Sequence, residues 1–171
     1  MADTDIDTVE GPYEGYHLAQ VNIGRTTGPL DAPHMADFTD NLAHINGLGK
    51  VSPGFVWLLE GSDAEAGATD VAWPGDPTII VNMSVWESVA TLRDFVFASE
   101  HRPIMARRRE FFEKPAEAIA VLWWIPAGTT PTVQDAKERL DHFREHGATP
   151  YGFSFSKLFA PSELEDLALQ D

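Results

Sequence analysis

The segment from Ile79 to Phe112 reads IIVNMSVWESVATLRDFVFASEHRPIMARRREFF and holds most of the polar residues that could carry chemistry. Its first eight residues are rich in β-branched side chains, which favour a strand, but they include Asn82 and Ser84. A helix is predicted from Ser88, and Pro103 interrupts it before a second helical part that carries three consecutive arginines. The segment is therefore predicted to be a strand followed by a broken helix.

A strand, a helix and a second strand are predicted before this segment. The first strand covers residues 16–23, and the helix covers residues 33–49, starting at a proline and ending at two glycines. The second strand, residues 54–60, is apolar on both faces. The long polar connection over residues 61–77 predicts either a lid over a site or a disordered insertion. The apolar stripe of the helix consists of Met35, Phe38, Leu42 and Ile45.

Four further elements follow the segment. A strand is predicted over residues 118–125, a helix over 130–147 and a short strand over 151–155. Ser162 and Glu165 have the spacing of a capping box, which predicts a last short helix. The order β-α-β-β-α-β, with an extra C-terminal helix and strand, is that of a ferredoxin-like split βαβ sheet in an α+β protein.

The chain is predicted to form one folded domain. We expect residues 1–14 to be a disordered acidic tail, residues 15–160 to form the domain, and residues 161–171 to be a short terminal helix or tail. The later strands are apolar at nearly all positions, so both faces of the sheet need cover. Helices cover one face, and we expect a second copy of the chain to cover the other in a two-fold homodimer.

Composition excludes several classes of partner. The formal net charge of −15 disfavours binding to nucleic acid or to an anionic membrane surface. The chain has no cysteine, which excludes disulfides and thiolate chemistry. No stretch approaches the roughly 20 apolar residues of a membrane span, and the acidic N-terminus is unlike a signal peptide. We therefore expect a soluble cytoplasmic protein.

Four motifs carry a resemblance to a known family. They are YHLAQVN at residues 16–22, SPGFVW at 52–57, VNMSVWES at 81–88 and VLWW at 121–124. Together they resemble a bacterial domain-of-unknown-function family of the dimeric α/β-barrel superfamily, which also contains the antibiotic biosynthesis monooxygenases. The resemblance covers about residues 15–155. It implies a homodimeric barrel in which a small molecule is bound.

The motif NMSVWES is similar to the strand-to-helix motif of quinone-forming, cofactor-free monooxygenases that act on aromatic polyketides. In those enzymes an asparagine and a tryptophan four residues later line the pocket, and here they are Asn82 and Trp86. The family's pocket tyrosine corresponds to Leu92, and its second-strand histidine falls near Glu60. The resemblance implies a cofactor-independent monooxygenase, or a proton-transfer cyclase or isomerase, acting on a hydrophobic aromatic or polyketide-like substrate.

The candidate site residues lie on neighbouring strands and on the broken helix. Buried amides need partners, so we expect Asn82 and Ser84 to pair with Gln20 and Asn22, with water, or with a ligand. A water-filled centre at a dimer interface is the alternative. The predicted catalytic residues are Asn82, Trp86, His101 and Asn22, and the predicted substrate-binding residues are Gln20, Ser84, Arg102, Met105, Arg108, Trp57 and Trp73.

Each catalytic candidate has a chemical reason. His101 has an ordinary pKa near 6.5, which suits proton transfer, although it could also be a surface histidine at a helix end. The amides of Asn82 and Asn22 would hold an oxyanion. Arg102 or Arg108 would attract an anionic or phenolate substrate.

Two alternatives to the cofactor-free enzyme stay open. The superfamily has haem-binding members, so haem is an alternative cofactor with His101 as the candidate ligand. A ligand-binding dimer without turnover is the other. His142 and His146 lie one helical turn apart but have no third ligand nearby, so no metal site is expected.

Overall fold

Strands and helices both contribute to the fold in a computed structural model that describes residues 9–62, 68–98 and 102–168. A short 3₁₀ turn, Pro33–Met35, leads into the first helix. The element order is the predicted ferredoxin-like one, with two helices added at the C-terminal end. The strands are β1 (Tyr16–Arg25), β2 (Phe55–Leu58), β3 (Ile79–Trp86) and β4 (Ala120–Pro126), and the helices are α1 (Ala36–Lys50), α2 (Val89–Val96), α3 (Arg102–Ala106), α4 (Arg108–Phe111), α5 (Val133–His146) and α6 (Pro161–Ala168).

The four strands form one antiparallel sheet in the order β2-β3-β1-β4. Its register places Asn22 opposite Asn82 and Gln20 opposite Ser84, so these four side chains share one face, which we call the polar sheet face. Side chains alternate along each strand, so the other face carries Ala19, Val21, Met83 and Val85. We call it the apolar sheet face. The predicted α+β, ferredoxin-like class is confirmed.

The chain itself covers the apolar sheet face. Val21, Met83 and Val85 are completely buried there. Ala136 and Leu140 of α5 pack in the same cluster, together with Trp73 from the connection before β3. The expected need for a second copy over this face is therefore wrong. The homodimer stays a prediction, but an uncovered apolar sheet face no longer supports it.

Helix α2 begins directly after β3 because a capping box closes its first turn. The Oγ of Ser88 accepts a hydrogen bond from the backbone N–H of Thr91 at 3.1 Å, and the Thr91 hydroxyl pairs with the Ser88 backbone N–H. Pro103 is the second residue of α3, where a missing N–H costs nothing. Pro103 was predicted to interrupt a helix, but it lies in the first turn of one.

Part of the predicted acidic tail packs against the domain. The backbone carbonyl of Glu10 accepts a hydrogen bond from the Val89 N–H at 2.8 Å, and its carboxylate pairs with Arg93. Tyr13 makes an edge-on contact with Trp124, with 5.1 Å between ring centroids. The prediction of disorder is therefore wrong for these residues, and for residues 1–8 it lies outside the described residues.

The C-terminal region differs from its prediction in two details. Residues 151–155 take part only in isolated bridges, and the one to the sheet joins Phe153 to Leu122 of β4 by two backbone hydrogen bonds. A tight turn between Thr149 and Gly152 keeps the segment from extending into a strand. Helix α6 is capped by Glu163, whose carboxylate accepts the Ala160 N–H at 2.7 Å, so the predicted capping box is wrong.

Candidate functional site

A cavity of about 410 Å³ lies between the polar sheet face and the helices α1 and α2. Its size is in the range that suits small-molecule sites. Much of its wall is hydrophobic, because the apolar stripe of α1 and the inner side of α2 face the sheet. From the sheet it is lined by Gln20, Asn22, Asn82, Ser84 and Trp86, and from the helices by Phe38, Leu42, Ile45, Asn46, Leu92 and Phe95.

The polar side chains of the sheet form one hydrogen-bonded network. The Nε2 of Gln20 donates to Asn82 Oδ1 at 2.9 Å and to Ser84 Oγ at 2.7 Å. The Nδ2 of Asn22 donates to Gln20 Oε1 at 3.2 Å and to Asn82 Oδ1 at 3.1 Å. The indole N–H of Trp86 donates to Ser84 Oγ at 2.8 Å. The sheet register thus brings together five of the predicted site residues.

The network leaves a defined set of groups for a ligand. Within the part of the chain that the structure describes, the Nδ2 of Asn82 and the hydroxyl hydrogen of Ser84 have no acceptor. Both N–H bonds of the Asn22 amide are used inside the network, and its Oδ1 accepts nothing. The polar sheet face therefore has two donors, on Asn82 and Ser84, that remain for a ligand.

Trp86 is held firmly in place by other aromatic rings. Its indole stacks on Phe95 with 5.1 Å between centroids and meets the edge of Phe55 at 5.6 Å. The side chain is 1% exposed. Trp86 lines the cavity, but its indole N–H already donates to Ser84 Oγ. Its main effect on the site is therefore to fix the position of the Ser84 hydroxyl.

Arg108 brings a positive charge to the cavity wall. Its guanidinium lies over the ring of Phe112 at 5.0 Å, and none of the described carboxylates pairs with it. Burial, reinforced by the neighbouring charge of Arg109, lowers the pKa of Arg108. By contrast, Arg107 is paired with Asp37 at 2.8 Å and Glu110 at 2.7 Å. Arg108 is thus the arginine available to an anionic group, and Met105 lines the wall beside it.

Three predicted substrate-binding residues do not line the cavity. Trp57 pairs with Val85 and packs on the apolar sheet face, because a β-bulge between Phe55 and Trp57 turns the two side chains to opposite faces. Trp73 is 4% exposed and buried in the same apolar cluster. Arg102 is exposed on α3 and absent from the cavity wall. These three predictions are wrong.

The catalytic base is not found among the described residues. His101 lies outside them. The described residues that line the cavity include no histidine, carboxylate, tyrosine or lysine. They offer an iron atom only the thioether of Met105, which is a poor fit to haem, and the described residues contain no cluster of three metal-ligating side chains.

Asn46 is the site residue that the sequence prediction missed. It is 8% exposed, lines the cavity from α1 and has no hydrogen-bond partner among the described residues. Leaving a buried amide unpaired costs about 1–3 kcal/mol. The predicted helix, residues 33–49, already contained Asn46, and α1 ends one residue later at Lys50. A polar residue four positions after Leu42 of the apolar stripe was the available signal.

The chain belongs to a family whose members share a domain of unknown function. The model of the family described as domain of unknown function DUF3291 matches residues 17–168. No curated protein matches the chain. Within the described residues, no helix is both long and apolar enough to cross a bilayer.

Several solved structures are similar to parts of this one. A conserved protein from Methanosarcina mazei has a TM-score of 0.43 at 12% identity, covering 66% of this chain and 93% of that one. SnoaB, a cofactor-independent oxygenase from Streptomyces nogalater, has a TM-score of 0.40 at 19% identity, covering 67% and 95%. PA3566 from Pseudomonas aeruginosa has a TM-score of 0.43 at 9% identity, covering 68% and 99%.

Proposed function

We propose that this protein is an enzyme that binds a hydrophobic, aromatic or polyketide-like molecule in the cavity and oxygenates it without a cofactor. One observation carries the proposal: the donors of Asn82 and Ser84 have no acceptor among the described residues and border a cavity whose wall is largely apolar. Donors fixed in advance in a site shielded from water stabilise developing negative charge strongly. The arrangement is therefore suited to a phenolate or enolate oxygen.

The network gives each member a role in this proposal. Asn82 Nδ2 and the Ser84 hydroxyl donate to the substrate oxygen as its proton leaves. Asn22 and Gln20 hold the Asn82 amide in orientation, because their own N–H groups are spent within the network. The expected direct contact of the Asn22 N–H groups with an oxyanion is thereby replaced by a supporting role.

The proton leaves to water or to His101. Arg108 favours the ionised substrate by its positive charge. The resulting carbanion gives electrons to dioxygen; a CH₂ group and O₂ become a C=O group and one water, so no external reductant is consumed. If water takes the proton, we expect the pH dependence of turnover to follow the pKa of the substrate, because the described cavity wall has no titratable group besides Arg108.

Oxygen consumption with hydroxylated anthrones tests the proposal. We expect Asn82→Ala and Ser84→Ala each to lower kcat by about 10²-fold, the typical effect of removing one oxyanion donor. Ser162→Ala, which changes an exposed serine of α6 that does not line the cavity, is the control and should retain the wild-type rate. Unchanged kcat in both cavity variants would contradict the assignment.

Two other functions are compatible with this cavity. If the anthrones or related polyketides are cyclised or isomerised with no oxygen uptake, the same donors serve a proton-transfer enzyme. The lack of a base among the described lining residues favours a binding protein without turnover. Tight binding of the probes with no product by mass spectrometry would establish that function.

A further inference from the structure

Besides Arg108, the cavity has polar side chains on the wall formed by α1, where Asn41 and Asn46 line it, and Asn46 is the more buried of the two. Asn46 reaches the cavity from α1, whose other lining side chains include Phe38, Leu42 and Ile45. An asparagine inside a helix commonly bonds to a nearby backbone carbonyl, but none of the described residues pairs with Asn46. Asn46 is only 8% exposed and its amide borders the cavity, so its hydrogen-bond partner comes from the cavity, as water in the empty protein or as a group of a bound ligand.

We infer that Asn46 binds a second oxygen of the substrate and makes the site selective for molecules that are polar on two opposite sides. The inference rests on the proposed function, because it concerns the same cavity. One substrate oxygen lies at Asn82 and Ser84, the apolar ring system fills the space between the walls, and the other oxygen reaches Asn46. A carboxamide both donates and accepts, so this second group is a hydroxyl or a carbonyl.

The walls themselves support a flat aromatic body between the two polar groups. Phe38 and Leu42 come from α1 and Phe95 from α2, so the middle of the cavity is apolar. The volume of about 410 Å³ accommodates a molecule of two or three fused rings. A ligand with a single polar end would leave the Asn46 amide without a partner from the ligand.

Two probes of nearly equal size separate these cases. Naphthol carries one hydroxyl, and a naphthalenediol carries a second on the other ring. Binding is followed by the fluorescence of Trp86, which lines the cavity. We expect the diol to bind wild-type protein about tenfold more tightly than naphthol, the usual value of one added hydrogen bond. In Asn46→Leu this ratio falls to about one, while naphthol still binds.

The control is His44→Leu, which adds the same side chain to an exposed position of α1 and should leave the ratio unchanged. A ratio that survives in Asn46→Leu overturns the role of Asn46. If naphthol binds and the diol gains nothing in the wild type, the inference fails and the proposed function stands. If neither probe binds the wild type, both fail.

Thermal unfolding of the empty protein gives an independent readout. A purely structural asparagine is stabilising, so its loss would lower the Tm. A ligand-binding asparagine has no partner among the described residues of the empty protein, so Asn46→Leu should keep or raise the Tm. Asn46→Ala provides a second variant in case leucine does not fit, and it should show the same loss of diol preference. A lower Tm in both variants with unchanged diol preference would contradict the inference.

Discussion

The Ser84 oxygen accepts hydrogen bonds from both Gln20 and Trp86, so it joins the amide network to the aromatic packing around the indole. Ser84→Ala leaves the indole N–H buried without an acceptor, and we expect it to lower the free energy of unfolding by about 1–3 kcal/mol. Urea denaturation measures this change. The exposed Ser162→Ala variant should stay within about 0.5 kcal/mol of wild type.

A double-mutant cycle tests whether the bond itself is responsible. Trp86→Phe removes the donor and retains a ring that can stack on Phe95. If the bond couples the residues, Ser84→Ala combined with Trp86→Phe costs less than the sum of the single changes, by about 0.5–3 kcal/mol. Strict additivity would show that the two side chains stabilise the protein independently.

Alternation along the strands was enough to predict the grouping of Asn82 and Ser84 with residues of β1, because strand register follows from the apolar pattern. The same reasoning failed at Trp57. A β-bulge reverses the alternation of side chains between the two sheet faces there, and no residue in the sequence indicated the bulge. Asn46 was missed for another reason: only the apolar residues of the helix stripe were considered, although Asn46 follows Leu42 by four positions and lines the same cavity.

At the scale of elements, Gly54 joins β2 to the start of α2. Its φ is +79°, and a Cβ there would lie 2.5 Å from Thr91, which closes the capping box of α2. Gly54→Ala therefore adds a clash to an unfavourable backbone conformation, and we expect a loss of about 2–5 kcal/mol in chemical denaturation.

Gly75 provides the matched comparison. It has a φ of +84°, but no atom lies within 4 Å of the position that a Cβ would take, so Gly75→Ala carries only the conformational cost of about 1–2 kcal/mol. Equal losses in the two variants would mean that the contact with Thr91 relaxes freely.

Helix α5 carries a histidine whose titration reports its surroundings. Burial, together with nearby His146, lowers the pKa of His142. The folded pKa lies below the unfolded one, so this contribution to stability is present above the unfolded pKa near 6.5 and is lost as the pH falls through the folded pKa. In His146→Gln the ring-proton NMR midpoint of His142 should move upward; an unmoved midpoint would show that burial and the charge of Arg139 lower the pKa without His146.

Sequence patterns predicted most elements, since the capping residues Ser88 and Thr132 do begin helices. What they could not show was where α5 packs. Its apolar positions, Ala136 and Leu140 among them, indicate a buried stripe but not the surface that buries it. The prediction that a second chain covers the apolar sheet face was therefore wrong because it did not foresee that α5 packs there.

For the whole molecule, the formal net charge of −15 sets the response to salt. Its exposed ion pairs, such as that of Arg25 with Asp76, are each worth little, whereas repulsion among the excess carboxylates acts over the entire surface. We expect the Tm to rise when NaCl increases from about 0.02 M to about 0.5 M, because the repulsion is screened. KCl should act equally, and a falling Tm would mean that the ion pairs outweigh the repulsion.

The cover provided by α5 has a consequence for biosynthesis. All four strands are synthesised before α5 (residues 133–146). Until α5 emerges from the ribosome, Val21, Met83 and Val85 on the apolar sheet face are therefore exposed to solvent. During that interval the growing polypeptide presents a sticky surface that other nascent chains or a chaperone can occupy. Chains released from ribosomes that stall before α5 should therefore aggregate. Chains released after α5 has emerged should fold and stay soluble.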